Sequence, residues 1–474
     1  MALPKQSEDF PGWYQEVVKQ AELAETSLAR GTMVIKPYGF AIWEAIQRAV
    51  DDRIKATGHQ NLYFPLFIPY SLLEKEAEHV EGFAPEVAVV THAGGEKLEE
   101  PLVVRPTSET IIWNTYAKWI QSYRDLPLLY NQWCNVVRWE LRPRIFLRTT
   151  EFLWQEGHTA HETADEAIAE ARMILEDVYA DAVEKVLAVP VRRGRKTAAE
   201  RFAGAVETMA IEGLMRDRKA LQAGTSHYLG QNFAKAYGVQ FQGRGGDLEF
   251  AYATSWGVST RLVGGAIMTH GDDKGLRLPP ALAPYQVVIV PIYKNDDEKG
   301  SVVAKARAIK DSLTGVRVRI DDRDEHRPGY KFNEWELKGV PLRIELGPRD
   351  IAADQVMIAR RDTGEKQTLP TGEVPARVPR LLEDIQVSLF AQASAFRDEY
   401  SFDAKDYGEL AALIADPGGF VTGGWCGNPE CEAKVKADTK ATIRYLPLDP
   451  EPPAGECIVC GTAAVERATW AQAY

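Results

Sequence analysis

Between Asn135 and His161 the chain reads NVVRWELRPRIFLRTTEFLWQEGHTAH, and this stretch limits the possible folds more than any other. Its apolar halves, with Val136, Val137 and Trp139 first and Phe146, Leu147, Phe152, Leu153 and Trp154 second, flank a basic loop of Arg142, Pro143 and Arg144. Two strands joined by a charged loop are expected. Arg138 sits among apolar neighbours, where a charge is costly unless paired or facing a ligand. Arg148 returns toward it across the loop. Two guanidiniums in one space suit a polyphosphate, because arginine forks match phosphate oxygens. Glu140 would then bind an amino group or hold an arginine in place. A surface hairpin with alternating charges is the plainer alternative.

The pattern Arg138-x-Glu140, loop, Arg148 resembles motif 2 of the class II aminoacyl-tRNA synthetases. The wording RWE…FLRTTEFLWQEGHTAH resembles the prolyl-tRNA synthetase family in particular. That resemblance implies a multidomain α/β protein in three parts. Residues 1–283 would form an α+β catalytic domain, an antiparallel sheet with flanking helices. Residues 284–398 would form an α/β anticodon-binding domain, and residues 399–474 a zinc-bearing α/β domain.

A chain of 474 residues is too long for one core, which agrees with several domains. No run of about 20 apolar residues indicates a membrane span. The start, MALPKQSEDF, lacks the basic and apolar regions of a secretory signal. Five cysteines in this length argue against a disulfide scaffold, so a cytoplasmic setting is expected, with neither membrane nor DNA as partner. A net charge of −12 is unusual for an RNA partner. Local fields matter more. Residues 284–380 hold 18 Lys+Arg against 16 Asp+Glu, a net +2, leaving −14 for the remainder. The less acidic segment is the place to seek RNA contact.

Taken in order, residues 11–28 suggest a helix, then GTMVIKPYG a short strand and turn. Phe40, Trp43, Ile46, Val50 and Ile54 recur at helical spacing up to Gly58. LYFPLFIPYSLL reads as extended, with Pro65 and Pro69 favouring an edge or an interface. This pair of elements resembles motif 1, which implies a homodimer; an ordinary edge strand is equally compatible. Thr107 or Ser108 could simply cap the helix that follows. By the resemblance, Thr107 and Glu109 hold the amino end of proline, whose charged secondary amine offers two N–H donors.

The helix 162–188 is followed by Arg192-Arg193-Gly194-Arg195-Lys196, expected to be a solvated loop, with RNA contact as the alternative. QAGTSHYLGQNFAKAYG resembles the family segment between motifs 2 and 3. There Gln222, Gly224 and Thr225 would line ATP and His227 the proline pocket, with Trp154, Glu156 and His158 beside it. The segment follows motif 2 too closely for a large inserted editing domain, as in the archaeal and eukaryotic-like type. TSWGVSTR resembles motif 3, placing Ser259 on ATP and Arg261 on its distal phosphate.

From Tyr285 a strand–helix–strand–helix–strand pattern resembles the shared anticodon-binding domain. Guanine edges suit carboxylates, Arg or Lys, and a stacking ring. Phe332, Glu336, Arg343, Asp350 and Lys366 offer these chemistries, or are surface charges and core rings. Cys426, Cys431, Cys457 and Cys460 form two near pairs that read as tetrahedral structural zinc, with turns at Gly423–Gly424 and Gly461. Cys134 is expected in the core. Chains of this type can end in a tyrosine near the active site, as Tyr474 would.

The implied reaction has two steps: ATP and L-proline give prolyl-adenylate and pyrophosphate, and proline then passes to the terminal adenosine of tRNA(Pro). Arg138, Arg148 and Arg261 would stabilise charge with Mg2+, and Glu140 would contact the adenine amino group. Alanine is the expected misactivated substrate. A threonyl or glycyl enzyme, or a non-catalytic synthetase-like binding protein, are the competing expectations. The three motif arginines count against the binding protein, and the C-terminal place of the cysteines counts against a threonyl enzyme.

Overall fold

The computed structural model describes residues 3–79, 87–449 and 455–474. Seven strands make the first sheet, in the order Gln60–Asn61, Leu128–Val137, Glu151–His161, Tyr252–Ser259, Ala220–Gly230, Glu207–Leu214, Val191–Arg195. All neighbours are antiparallel except the first pair. Helices Phe10–Gln20, Pro37–Ala56 and Arg261–His270 pack with the helical stretch 164–185 on one side of it. Trp13, Trp43, Ile46, Val50, Tyr179 and Trp256 fill the core between them. The 164–185 stretch is continuous, with a wider π turn at Ile174–Ala180.

Small residues set how closely these layers approach. A Cβ on Gly157 would stand 2.2 Å from the Trp256 ring, and one on Gly264 2.4 Å from Leu147. Residue 157 thus leaves room for the tryptophan beneath the sheet.

The second unit has a five-stranded sheet: Val318–Ile320, Val287–Pro291, Leu342–Leu346, Gln355–Arg360, Lys366–Pro370. The first three strands are parallel, as the strand–helix alternation requires. Helix Val374–Glu399 leads from it to a four-stranded sheet formed by Ser401–Asp403, Phe420–Trp425, Glu466–Ala471 and Thr442–Tyr445. Each of these sheets has its own core, and a further cluster around Trp113, Tyr116 and Phe233 also packs on the first sheet.

Several expectations need correction. The first helix stops at Gln20, because Glu22 takes φ +58 and the chain turns into strand Ala24–Thr26. LYFPLFIPYSLL is extended only in part: Phe67–Pro69 pairs with Leu102–Val104, and Tyr70–His79 is helical. The basic run is no solvated loop. It is the edge strand Val191–Arg195, with Arg193 on Glu184 at 2.8 Å, Arg195 on Glu466 at 2.6 Å and Lys196 on Glu212 at 2.7 Å.

Candidate active site

The period of two along a strand decides which side chains share a face. Trp154, Glu156 and His158 therefore project together, and register sets them beside Ser259, Gly257 and Ser255. Ser255 in turn faces His227, and Gly257 faces Thr225. His227 pairs across to Thr208, whose hydroxyl lies 2.9 Å from its Nδ1. The other face holds Trp256, Val258 and Ile211 in the core. Gly224 is small for the core's sake: a Cβ there would meet Val258 at 3.0 Å and Tyr179 at 3.2 Å. Only its backbone lines the cleft.

A cavity of about 260 Å³ stands on this polar face. Thr107, Glu109, Trp154, Glu156, His158 and His227 line it, as do Gln222, Gly224 and Thr225. A second cavity, about 610 Å³, is lined by Glu140, Arg142, Arg144, Arg148 and Tyr474. Arg138, Phe152, Ser259 and Arg261 line both. The predicted ATP residues are thus divided between the two chambers.

Arg138 follows strand Leu128–Val137 and is open to the cleft. Its Nε donates to the Pro106 carbonyl at 2.9 Å, and its guanidinium stands 5.2 Å over Trp154 and 5.7 Å over Phe152. Arg261 begins helix Arg261–His270 and donates to the carbonyls of Leu147 at 3.3 Å and Gln222 at 3.4 Å. These contacts orient both cations without neutralising them. Arg148 is different, since Glu140 accepts from its Nε and from the Arg142 N–H at 3.0 Å. Of the two roles open to Glu140, the structure shows the arginine-holding one. These donors hold its carboxyl below the usual range against the opposing effect of burial.

Ser108 starts helix Glu109–Trp119 but does not cap it with its side chain. Its hydroxyl donates to Glu156 instead, beside Gln132 Nε2 at 2.8 Å and His158 Nε2 at 3.0 Å. Burial disfavours the charges on both Glu156 and His158. Their pairing outweighs it, lowering the Glu156 pKa and raising that of His158. Glu156 is therefore well supplied with donors from the protein. Glu109 accepts from the Thr107 hydroxyl and is only 3 % exposed. His227 is held neutral: burial first, then the charges of His158 and Arg138, push it down to about 3.

Phe202 escaped the sequence reading. Its ring stacks on His227 with centroids 4.7 Å apart, and it lines the cavity with Glu200 and Arg201. Arg105 escaped too. It is fully buried and ties Phe64 O at 2.7 Å to Asn135 O at 2.8 Å, joining the segment after Gln60–Asn61 to the motif 2 strand. An arginine directly after the apolar run Leu102-Val103-Val104 was the available signal for it. Tyr474 lines the larger chamber, with Arg144 6.0 Å and Lys219 5.6 Å from its ring.

In the second unit, Glu336, Arg343 and Lys366 line one cavity, and Phe332 lies beneath Arg343 at 4.4 Å and Lys366 at 5.7 Å. Asp350 is not among its lining residues. Its carboxylate accepts from the Gly347 N–H at 2.8 Å and closes the start of helix Pro348–Ala352, which accounts for it locally.

The sulfurs of Cys426, Cys431, Cys457 and Cys460 lie within 4.8 Å of one another. Cys426 Sγ is 3.6 Å from that of Cys431 and 3.7 Å from that of Cys460. Four thiolates about 2.3 Å from a tetrahedral Zn2+ would be separated by about 3.8 Å. The donor set and spacing fit structural zinc. Cys134 is half-buried elsewhere, against Trp154 Nε1 at 3.2 Å. The glycines that turn the knuckles are Gly427 (φ +77) and Gly461 (φ +74). Gly423 and Gly424 lie within a strand instead, where a Cβ would strike Ile458 at 2.6 Å and the Glu456 carbonyl at 2.4 Å.

An antiparallel sheet carrying a motif 2 hairpin, with an arginine at the head of the following motif 3 helix, defines the class II aminoacyl-tRNA synthetase core. A model of the "tRNA synthetase class II core domain (G, H, P, S and T)" matches residues 91–270. "Anticodon binding domain" matches residues 286–381, and "Prolyl-tRNA synthetase, C-terminal" matches residues 407–474. Curated proteins named proline–tRNA ligase are similar over the whole chain. That of Porphyromonas gingivalis is 55% identical, covering 100% of this chain and 99% of its own. That of Chloroflexus aurantiacus is 54% identical with the same coverage, and that of Chlorobium phaeobacteroides 56% over 99% and 98%. The chain belongs to the prolyl-tRNA synthetase family, of the archaeal and eukaryotic-like type.

Proposed function

We propose that the two joined chambers carry out both steps of proline–tRNA ligation, with residues 1–283, 284–398 and 399–474 as catalytic, anticodon-binding and zinc-bearing domains. The ligase activity follows from family membership along the full chain. The assignment of roles rests on one observation: Arg138 lines both chambers, between a carboxylate-rich and an arginine-rich end.

The smaller chamber receives proline. Glu109 meets the charged amine, with Thr107 beside it. Trp154, His158, His227 and Phe202 shape the space around the pyrrolidine ring, and Glu156 supports them. The larger chamber receives the phosphates between Arg148, Arg261 and Arg138. Ser259, which lines both chambers, and Gln222, Gly224 and Thr225, on the near wall of the smaller one, receive the part of the nucleotide that reaches past Arg138. Glu140 exchanges part of its hold on Arg148 for the adenine amino group.

Proline's carboxylate oxygen attacks the α-phosphorus, and the bond to the β-phosphate oxygen breaks, releasing pyrophosphate. The tRNA terminal adenosine hydroxyl then attacks the carbonyl carbon, and AMP leaves. No side-chain nucleophile is required; the residues supply positioning and charge stabilisation. Magnesium, when bound, shares the phosphate charge. Glu109, Glu156 and His158 lie together at the amino-acid end with their carboxylates occupied by protein donors, so the phosphates themselves would supply most of the metal's ligands.

In the second unit, Phe332, Glu336, Arg343 and Lys366 would read the anticodon, with Asp350 holding the loop beside them. A homodimer is part of this reading, and the exposed apolar side chains Tyr63, Phe67 and Trp119 are candidates for its contact. No described helix is long and apolar enough to cross a membrane. Proline-dependent ATP–pyrophosphate exchange without tRNA, run beside alanine, threonine and glycine, tests the reading. Exchange with proline that survives Arg138→Ala would overturn the role given to Arg138.

A further inference from the structure

The segment Lys196–Phe202 touches the C-terminal domain at one end and the smaller chamber at the other. At its start, Lys196 Nζ donates to Glu212 and to the Arg444 carbonyl, both at 2.7 Å. Arg444 Nη2 also reaches Glu212, at 2.9 Å. The Thr197 hydroxyl donates to Glu432 at 2.8 Å, with both residues buried. At its end, the Phe202 N–H donates to the Thr208 hydroxyl at 3.1 Å, and the Phe202 ring stacks on His227. Few residues lie between, and one backbone bond, Glu200 N–H to Thr197 O at 3.2 Å, closes the turn.

Glu432 follows Cys431 directly at the start of helix Pro429–Thr439. A metal held by the four thiolates would therefore fix the first turn of the helix that presents Glu432. A buried donor without its acceptor is costly, so Thr197 has strong reason to stay on Glu432. Any tilt of that helix start would pass through a short closed turn to the Phe202 ring.

We infer that Glu432 is a positioning residue for the amino-acid pocket: acting through Thr197, it holds Phe202 against His227 and so sets proline affinity. This inference rests on the assignment of the smaller chamber to proline. Glu432 and Thr197 touch no substrate, and no residue of the segment Lys196–Phe202 lines the larger chamber that receives the phosphates. Loss of the link should therefore appear in proline binding and leave ATP binding unchanged.

The test is steady-state pyrophosphate exchange on the full chain with Thr197→Val, Thr197→Ser, Glu432→Leu and Phe202→Ala, together with proline calorimetry in the absence of ATP. Thr197→Val is expected to raise the proline KM and Kd about five- to tenfold, with the ATP KM and kcat within about twofold. Glu432→Leu removes the acceptor from the other side and should do the same. Thr197→Ser, which keeps the hydroxyl, should restore the wild-type value. An unchanged proline Kd in both Thr197→Val and Glu432→Leu overturns the inference, as does equal loss in every kinetic constant or failure of Thr197→Ser to rescue. Phe202→Ala separates the two levels: if it leaves proline binding unchanged, the assignment of the chamber to proline falls first.

Discussion

The Arg138 guanidinium stands 5.2 Å over the Trp154 ring and is tethered by one N–H to the Pro106 carbonyl at 2.9 Å. A ring face attracts a cation without consuming its remaining donors. The arginine is thus aimed while its other N–H groups stay available to a carboxylate and a phosphate.

Arg138→Ala should lower the kcat of proline-dependent exchange by about 10²–10³-fold, the usual cost of removing one charge-stabilising donor. Unchanged thermal unfolding of the variant would show that the loss is chemical. Lysine at this position should recover little, because it lacks the planar fork.

Glu109→Gln should weaken kcat/KM for proline about 100-fold, the scale expected when one member of a desolvated charge pair is lost. ATP binding, measured by calorimetry, should stay within about threefold. Equal losses for both substrates would move Glu109 out of the amine site.

Alanine should support exchange at saturating concentration. It lacks two ring carbons of proline, each worth about 1–3 kcal/mol, so discrimination of roughly 10²–10⁴-fold is expected from the pocket alone. Absence of any alanyl-adenylate would show a stronger exclusion than shape provides.

One zinc per chain is expected by elemental analysis, and Cys431→Ser should reduce that content and lower the melting temperature. The thiolates sit on two separated segments, so removing the metal uncouples the turn at Cys457–Cys460 from the helix Pro429–Thr439. Full zinc retention in the variant would contradict a four-thiolate site.

Acid should destabilise the catalytic domain through its buried neutral histidines. Burial pushes His227 and His270 down to about 3 and His161 down to about 4. Below the unfolded value of about 6.5, the unfolded chain takes up protons that the folded chain refuses, so stability falls with pH. Each contributes up to about 1.4 kcal/mol per pH unit between about 6.5 and its folded value. His158 works the other way, because its pKa is raised and its pair with Glu156 is lost as pH rises through the folded value. His270 accepts no competing role in the cleft, and its Nε2 lies 2.8 Å from the Leu187 carbonyl. Denaturant unfolding of His270→Gln between pH 7.5 and 5.5 should show a flatter loss than the wild type. An identical slope would mean that His270 gains its proton in the folded state.

Much of the site was legible because its residues lie in short runs where spacing carries meaning. Trp154, Glu156 and His158 alternate along one strand, so a period of two already puts them together. The cysteine pairs advertise themselves by spacing, although the glycines turning them do not. Gly423–Gly424 looked like turn residues, whereas they are strand positions kept small by Ile458 and the Glu456 carbonyl. Composition cannot separate those two reasons for a glycine. Phe202 was invisible for a similar reason: a lone phenylalanine between Arg201 and Ala203 has no periodic partner, and only folding brings it to His227. The run Arg192–Lys196 misled because ion pairing is a three-dimensional property. Its partners Glu184, Glu212 and Glu466 come from elsewhere in the chain.

The sequence by itself determined the hairpin that carries Arg138 and Arg148 and the metal-type cysteine set, because local period and spacing govern these, and its family resemblance implied the three-part organisation. The tertiary structure decided the rest. It saturates Glu156 with donors, leaves Arg138 open to the cleft, sets Glu140 on Arg148, and ties the C-terminal domain to the catalytic pocket through Thr197 and Glu432. The physical reason is that a buried polar group must be satisfied by whichever partner the fold brings near, and that partner need not be close in sequence.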